Sequence, residues 1–249
     1  VTDSLPPIAL LLAAHGERRD GAGNAGVARL ALDLAGRGLA AEVGVGFIKG
    51  TPSIAETLAG FTTGEVVVYP VFLADGYFTR RRLPQLIESG QEASAARRRV
   101  RVLPPLGVDP SLADLVAEEA RRSAEAAHMA AEAVTLVLLA HGTPRDAASR
   151  QAADILAQRL AARNRFYGVR SAFLEEPPSL AQVLDGISGP VVVIGLFAGE
   201  GLHGGDDAPQ LVREAGRTDI VFAGNVGTFT GLADVVAAAI RRASTGADE

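Results

Sequence analysis

The sequence predicts an α/β protein made of two similar lobes, each a parallel sheet flanked by helices, with a cleft between the lobes. Two observations carry that expectation: the chain repeats itself once along its length, and each copy alternates short apolar runs with segments of helical periodicity. A third allows it: 48% of the 249 residues are apolar, enough to fill a core for each copy.

The repeat is read in order. Ala9-Leu-Leu-Leu-Ala-Ala-His15-Gly16 matches Leu136-Val-Leu-Leu-Ala-His141-Gly142. Thirty-two residues after each histidine stand Phe47, leading to Pro52-Ser53, and Phe173, leading to Pro178-Ser179. Val66–Phe78 then matches Val191–His203, Pro84 matches Pro209, and Gly107 with Leu112-Ala-Asp matches Gly227 with Leu232-Ala-Asp. Chance similarity between Ala-rich stretches would not preserve both order and spacing. The copies are taken as residues 1–125 and 126–249.

Strands are expected at Leu10–Ala14, Glu42–Phe47, Val66–Leu73 and Val100–Leu103, and again at Val134–Ala140, Val169–Phe173, Val191–Phe197 and Ile220–Ala223. These are short apolar runs bounded by turn residues, as strands covered on both faces require. Helices are expected between them, for instance Gly26–Arg37 and Ala147–Arg163, where apolar residues recur three and four apart. Strand-helix-strand alternation implies parallel sheets with right-handed crossovers. Ala113–Glu132, without Gly or Pro, reads as a closing helix and not a flexible linker.

Composition removes several function classes. With no cysteine, disulfides, thiolate metal sites, Cys-ligated iron–sulfur clusters and cysteine nucleophiles are excluded. A net charge of -5 gives nucleic acid no general attraction. The apolar run Ile8–Ala14 is too short to span a bilayer and no basic leader precedes it, so no membrane association is expected and cytoplasm is the default.

Ligands in parallel α/β lobes sit at the carboxyl ends of strands. Three residues of the second copy fall there: His141 after one strand, Glu175 at the end of the next, His203 in the loop after the third. Two imidazoles and a carboxylate suit Fe(II), Co(II), Ni(II) or Zn(II), and three protein ligands leave a coordination position open. An imidazole also takes protons near neutral pH. Each residue alone would pass as an ordinary loop residue. The first copy shifts the balance, since the equivalent positions are His15, Lys49 and Phe78. Positions serving structure alone should not differ so sharply between copies, so the first is read as a degenerate site whose His15 can still touch a substrate.

The strand-His-Gly start, the Phe173-Leu-Glu segment with Pro178-Ser179, and the loop Gly201, His203, Asp207, Pro209 together resemble the sirohydrochlorin chelatases, class II chelatases of the CbiX/SirB type in the form with two fused repeats. The resemblance covers nearly the whole chain. It implies a chelatase-like fold and ATP-independent insertion of Co2+ or Fe2+, or in a related enzyme Ni2+, into a sirohydrochlorin-type tetrapyrrole. The metal is then a substrate, and no organic cofactor is expected. The family's two metal-side histidines and its glutamate fall on His141, His203 and Glu175. One departure is evident: the fused members carry the working site in the first half, so an inverted arrangement is implied here.

A substrate rich in carboxylates calls for arginines. Arg80, Arg81 and Arg82 follow Phe78 and are expected to face the active lobe; the alternative is a solvated helix start. Arg145 and Arg19 each lie four residues past a motif histidine, and Arg145 joins the substrate set with His15. Arg97–Arg101 and His128 read as exposed surface. Gly199-x-Gly201-x-x-Gly204 follows the wrong strand for a dinucleotide fingerprint, and no Gly-x-Ser-x-Gly elbow supports hydrolase chemistry. The leading expectation is a monomeric sirohydrochlorin chelatase. The alternatives are a non-catalytic metal or tetrapyrrole carrier on the same scaffold, and a chelatase for a less carboxylated porphyrin.

Overall fold

The computed structural model describes residues 8–16, 24–144, 146–199 and 207–245. Four strands, β1 (Ile8–Ala14), β2 (Glu42–Phe47), β3 (Glu65–Pro70) and β4 (Arg99–Val102), form one parallel sheet in the order β2-β1-β3-β4. Four more, β5 (Thr135–Ala140), β6 (Gly168–Phe173), β7 (Val191–Gly195) and β8 (Ile220–Asn225), repeat the order as β6-β5-β7-β8. In both sheets the first strand is central, with the second strand on one side and the third on the other. The loops after those strands diverge there, and this topological switch point is where open parallel sheets bind ligands.

The central strands are buried along their whole length because helices cover both faces. One face of β1 (Ala9, Leu11, Ala13) packs with Ile54 and Leu58 of α2 (Ile54–Gly60) and with Leu83 of α3 (Leu83–Ala93). In the second sheet, Val137 and Leu139 of β5 pack with Leu180 and Leu184 of α6 (Leu180–Asp185) and Ala208 of α7 (Ala208–Glu214). The short helices α2 and α6 start alike, at Ser53 and Ser179. Each serine accepts from the backbone three residues on, while Glu56 or Gln182 reaches back, forming a capping box.

The opposite layer contains α1 (Ala25–Gly36) and α8 (Leu232–Thr245) in one unit, α4 (Leu112–Ala126) and α5 (Ala148–Ala161) in the other. α4 packs against β7, β8 and α5, with Arg163 paired to Asp114 at 2.8 Å. α8 packs against α1, where Arg37 bridges Asp33 and Asp234 at 3.0 and 2.6 Å. Arg242 of α8 also reaches buried Asp109 at 2.9 Å, and Tyr69 donates to the same carboxylate. The compact units are therefore the described residues within Val1–Asp109 plus Gly231–Glu249, and Pro110–Thr230. This division differs from the sequence halves 1–125 and 126–249, because the last helix of each half, α4 and α8, belongs to the unit built mainly from the other half.

Element ends differ from expectation at several strands and helices, and three of the shortfalls have a visible cause. β3 stops at Pro70 and β7 at Gly195, short of Leu73 and Phe197. The chain turns off the ladder there, burying Phe72 and Phe197, whose carbonyls accept from Gly107 and Gly227 at 2.9 Å. α4 ends at Ala126 instead of Glu132, since His128 takes φ 58° and Met129 N bonds back to Ala124 O at 2.8 Å. His128 is exposed, as expected. Among the described residues no helix is long and apolar enough to cross a membrane.

Candidate functional site

The histidine after each central strand is placed by the glycine that follows it. Gly16 and Gly142 take φ +73° and +62°, a left-handed conformation that turns the chain off the sheet edge. Space demands glycine as well: a Cβ on Gly142 would lie 2.7 Å from Phe173 Cβ and 2.8 Å from Glu176 Cγ. The turn also folds the histidine onto its own glycine. His141 Nδ1 is 2.8 Å from Gly142 O, and His15 Nδ1 is 3.0 Å from Gly16 O. A carbonyl only accepts, so Nδ1 carries the proton and Nε2 presents the lone pair a metal needs.

In the second unit Nε2 of His141 lies 3.6 Å from Oε1 of Glu175. Backbone fixes that approach, because Glu175 N donates to His141 O at 3.1 Å. Both side chains remain open to solvent, at 39% and 50% exposure. In the first unit Lys49 N donates to His15 O at 2.7 Å, the same backbone bond. There the third position is visible too: the Phe78 ring lies 4.8 Å from the His15 ring, edge to face. Phe78 also stacks on Phe72 and meets exposed Tyr77. The first unit thus sets the backbone of Lys49 and the ring of Phe78 beside His15, at the positions that correspond to Glu175 and His203 in the repeat.

His203 and Arg145, and with them Arg19 and the Gly201–Gly204 pattern, lie outside the described residues. Among the described residues no group of three His, Cys, Asp or Glu is suited to hold a metal. Arg80–Arg82 occupy a π-helical turn, Phe78–Arg82, that runs into α3. Arg80 is bound to Asp75 at 3.1 Å, and Arg82 donates to Gln85 at 3.3 Å. Arg81 is exposed. Burial alone would raise Asp75, but hydrogen bonds from Arg80 and Thr79 outweigh it and hold the carboxyl below its ordinary range.

Sequence reasoning missed Arg150 and Glu176. Arg150, in the first turn of α5, lies 3.2 Å from Glu176, donates to the Pro177 carbonyl and covers the Phe173 ring at 4.1 Å. The signal was present in the repeat, where Asn24 and Gly50 stand at the same two positions.

The CbiX family model matches residues 9–123 and, a second time, residues 135–243. A probable sirohydrochlorin cobaltochelatase of Halobacterium salinarum is 25% identical, over 78% of this chain and 77% of that protein. Among solved structures, CbiX, the terminal enzyme for biosynthesis of siroheme in denitrifying bacteria, superposes with a TM-score of 0.77 at 27% identity, covering 94% of this chain and 99% of that one. A multi-domain Deinococcus radiodurans protein with structural similarity to chelatases and two additional novel domains gives a TM-score of 0.80 at 27% identity, over 94% of this chain. This chain spans about half the length of that protein, 55%.

Proposed function

Because the chain belongs to the CbiX family, we propose that it is a sirohydrochlorin chelatase, inserting Co2+ or Fe2+ into a sirohydrochlorin-type tetrapyrrole with the second repeat as the working copy. The observation that carries this reading is the pairing of His141 Nε2 with Glu175 at 3.6 Å, where the first repeat sets His15 beside Lys49 and Phe78. His203 is read as the third ligand, a reading supported by its repeat equivalent Phe78 lying against His15.

Insertion of a divalent metal releases two pyrrole protons. His141 Nε2 and the His203 imidazole bind the incoming ion and, once it has passed to the macrocycle, take up those protons; imidazole suits this near neutral pH. Glu175 balances the ion's charge and supports the imidazolium that follows. The Nδ1–H bond to Gly142 O keeps His141 in the tautomer that can perform both tasks. Arg80, Arg81, Arg82, Arg145 and His15 hold the substrate's periphery. Arg80 does so after leaving Asp75, an exposed pair that is weak in water.

The test mixes purified protein, sirohydrochlorin and Co2+ or Fe2+ and follows the macrocycle absorbance. His141→Ala and His203→Ala should each abolish turnover, whereas His15→Ala should leave most of it. Equal loss from all three would refute a single working copy.

A further inference from the structure

Glu176 is 13% exposed, and its Oε1 is buried with no hydrogen-bond partner among the described residues. Leaving a carboxylate oxygen in that state is costly. The first repeat avoids the cost with Gly50 and Asn24 and still closes the same loop: Phe47 N donates to Pro52 O, and Phe173 N to Pro178 O, both at 2.9 Å. The pair is therefore not needed to fold this loop. It accompanies the copy that carries the histidine–glutamate constellation.

We propose that Arg150 and Glu176 are positioning residues for metal capture by Glu175, a reading that rests on the proposed chelatase function. Glu175 is one residue from Glu176 and two from Pro177, both gripped by the Arg150 guanidinium. The guanidinium is itself fixed over the Phe173 ring at the end of β6. From the other side Glu175 N is tied to His141 O. The short segment bearing the metal-side carboxylate is thus clamped at both ends, and Glu175 stays within reach of His141 Nε2 instead of swinging away from it. Glu176 also neutralises Arg150, which would otherwise present an uncompensated cation near the site of an entering M2+.

The test uses the full chain and Co2+ alone, by calorimetric titration, followed by steady-state insertion into sirohydrochlorin. The double variant Arg150→Asn with Glu176→Gly installs the first repeat's residues, which are compatible with this loop. It should keep the far-UV spectrum, weaken Co2+ binding roughly 10- to 100-fold as loss of supporting partners does, and raise KM for Co2+ while leaving KM for the tetrapyrrole unchanged. Should it lose its far-UV spectrum, Glu176→Gln, which keeps the volume and removes the charge, decides by the same titration. Unchanged Co2+ affinity, or equal rises in both KM values, would overturn the proposal. A wild-type chain that binds Co2+ yet inserts none would instead overturn the chelatase reading, leaving the affinity comparison intact.

Discussion

Replacing Gly142 by alanine tests the geometry that places His141. Two costs add. An L-residue at φ +62° is strained by about 1–2 kcal/mol, partly offset by about 0.4–1 kcal/mol of lost freedom in the unfolded chain. The new methyl would also meet Phe173 Cβ at 2.7 Å and Glu176 Cγ at 2.8 Å, far inside van der Waals contact. Phe173 ends a strand and Glu176 is held by Arg150, so neither yields readily, and overpacking of this kind costs roughly 1–3 kcal/mol. Gly216 supplies the control in the same unit: φ is +65°, but the nearest heavy atom to its Cβ would be Glu214 O at 4.0 Å. Gly216→Ala should therefore cost about 1 kcal/mol and Gly142→Ala about 2–4 kcal/mol. The chain has no tryptophan, so urea unfolding is followed by far-UV circular dichroism. With a denaturant slope of about 2 kcal/mol per M, the two midpoints should lie on the order of 1 M apart. Coinciding midpoints would show that the glycine is chosen for its dihedral alone and that the crowding around it is of no consequence.

Three further outcomes are expected. Deleting residues 231–249 should strip hydrogen-exchange protection from β1–β4, whose unit it helps to complete, and spare β5–β8; loss confined to β5–β8 would contradict the observed packing of α8. Lys49→Glu with Phe78→His should add a second equivalent of bound Co2+ in a titration, because the first unit already sets those positions beside His15. Glu42 gives a pH signature. Burial would raise its pKa, but the combined hydrogen bonds from Thr62 and Thr63 hold it below the ordinary value of 4.5. A depressed carboxylate stabilises fully above its unfolded pKa, and that contribution is lost as pH falls through the folded one. Glu42→Gln should thus flatten the acid limb of the stability profile below about pH 4.5, and an unaltered limb in thermal scans would count against it.

Much of this was legible in the sequence for a simple reason. A strand covered on both faces must be apolar throughout, and a left-handed turn against a neighbouring strand admits only glycine, so β1, β5 and both His-Gly pairs announce themselves. The exchange of α4 and α8 was not legible. Both helices open Leu-Ala-Asp and carry similar apolar faces, which say that a face is buried without saying against which sheet. Arg150 and Glu176 were invisible for a related reason: charged residues beside a motif look like solvated surface until a contact is seen. His141 and Glu175 could be placed at neighbouring strand ends, yet the 3.6 Å between them depends on a backbone bond that spacing alone does not encode.

The exchanged helix also sets an order of assembly at the ribosome. The sheet that emerges first lacks α8 until residues 232–245 have been made, whereas Pro110–Thr230 is synthesised as one uninterrupted stretch. The proposed working copy is thus the first to have its complete set of elements in hand, and the N-terminal sheet must wait with an apolar surface uncovered. For a nascent chain that interval is the one in which aggregation threatens, and it closes only when α8 is released.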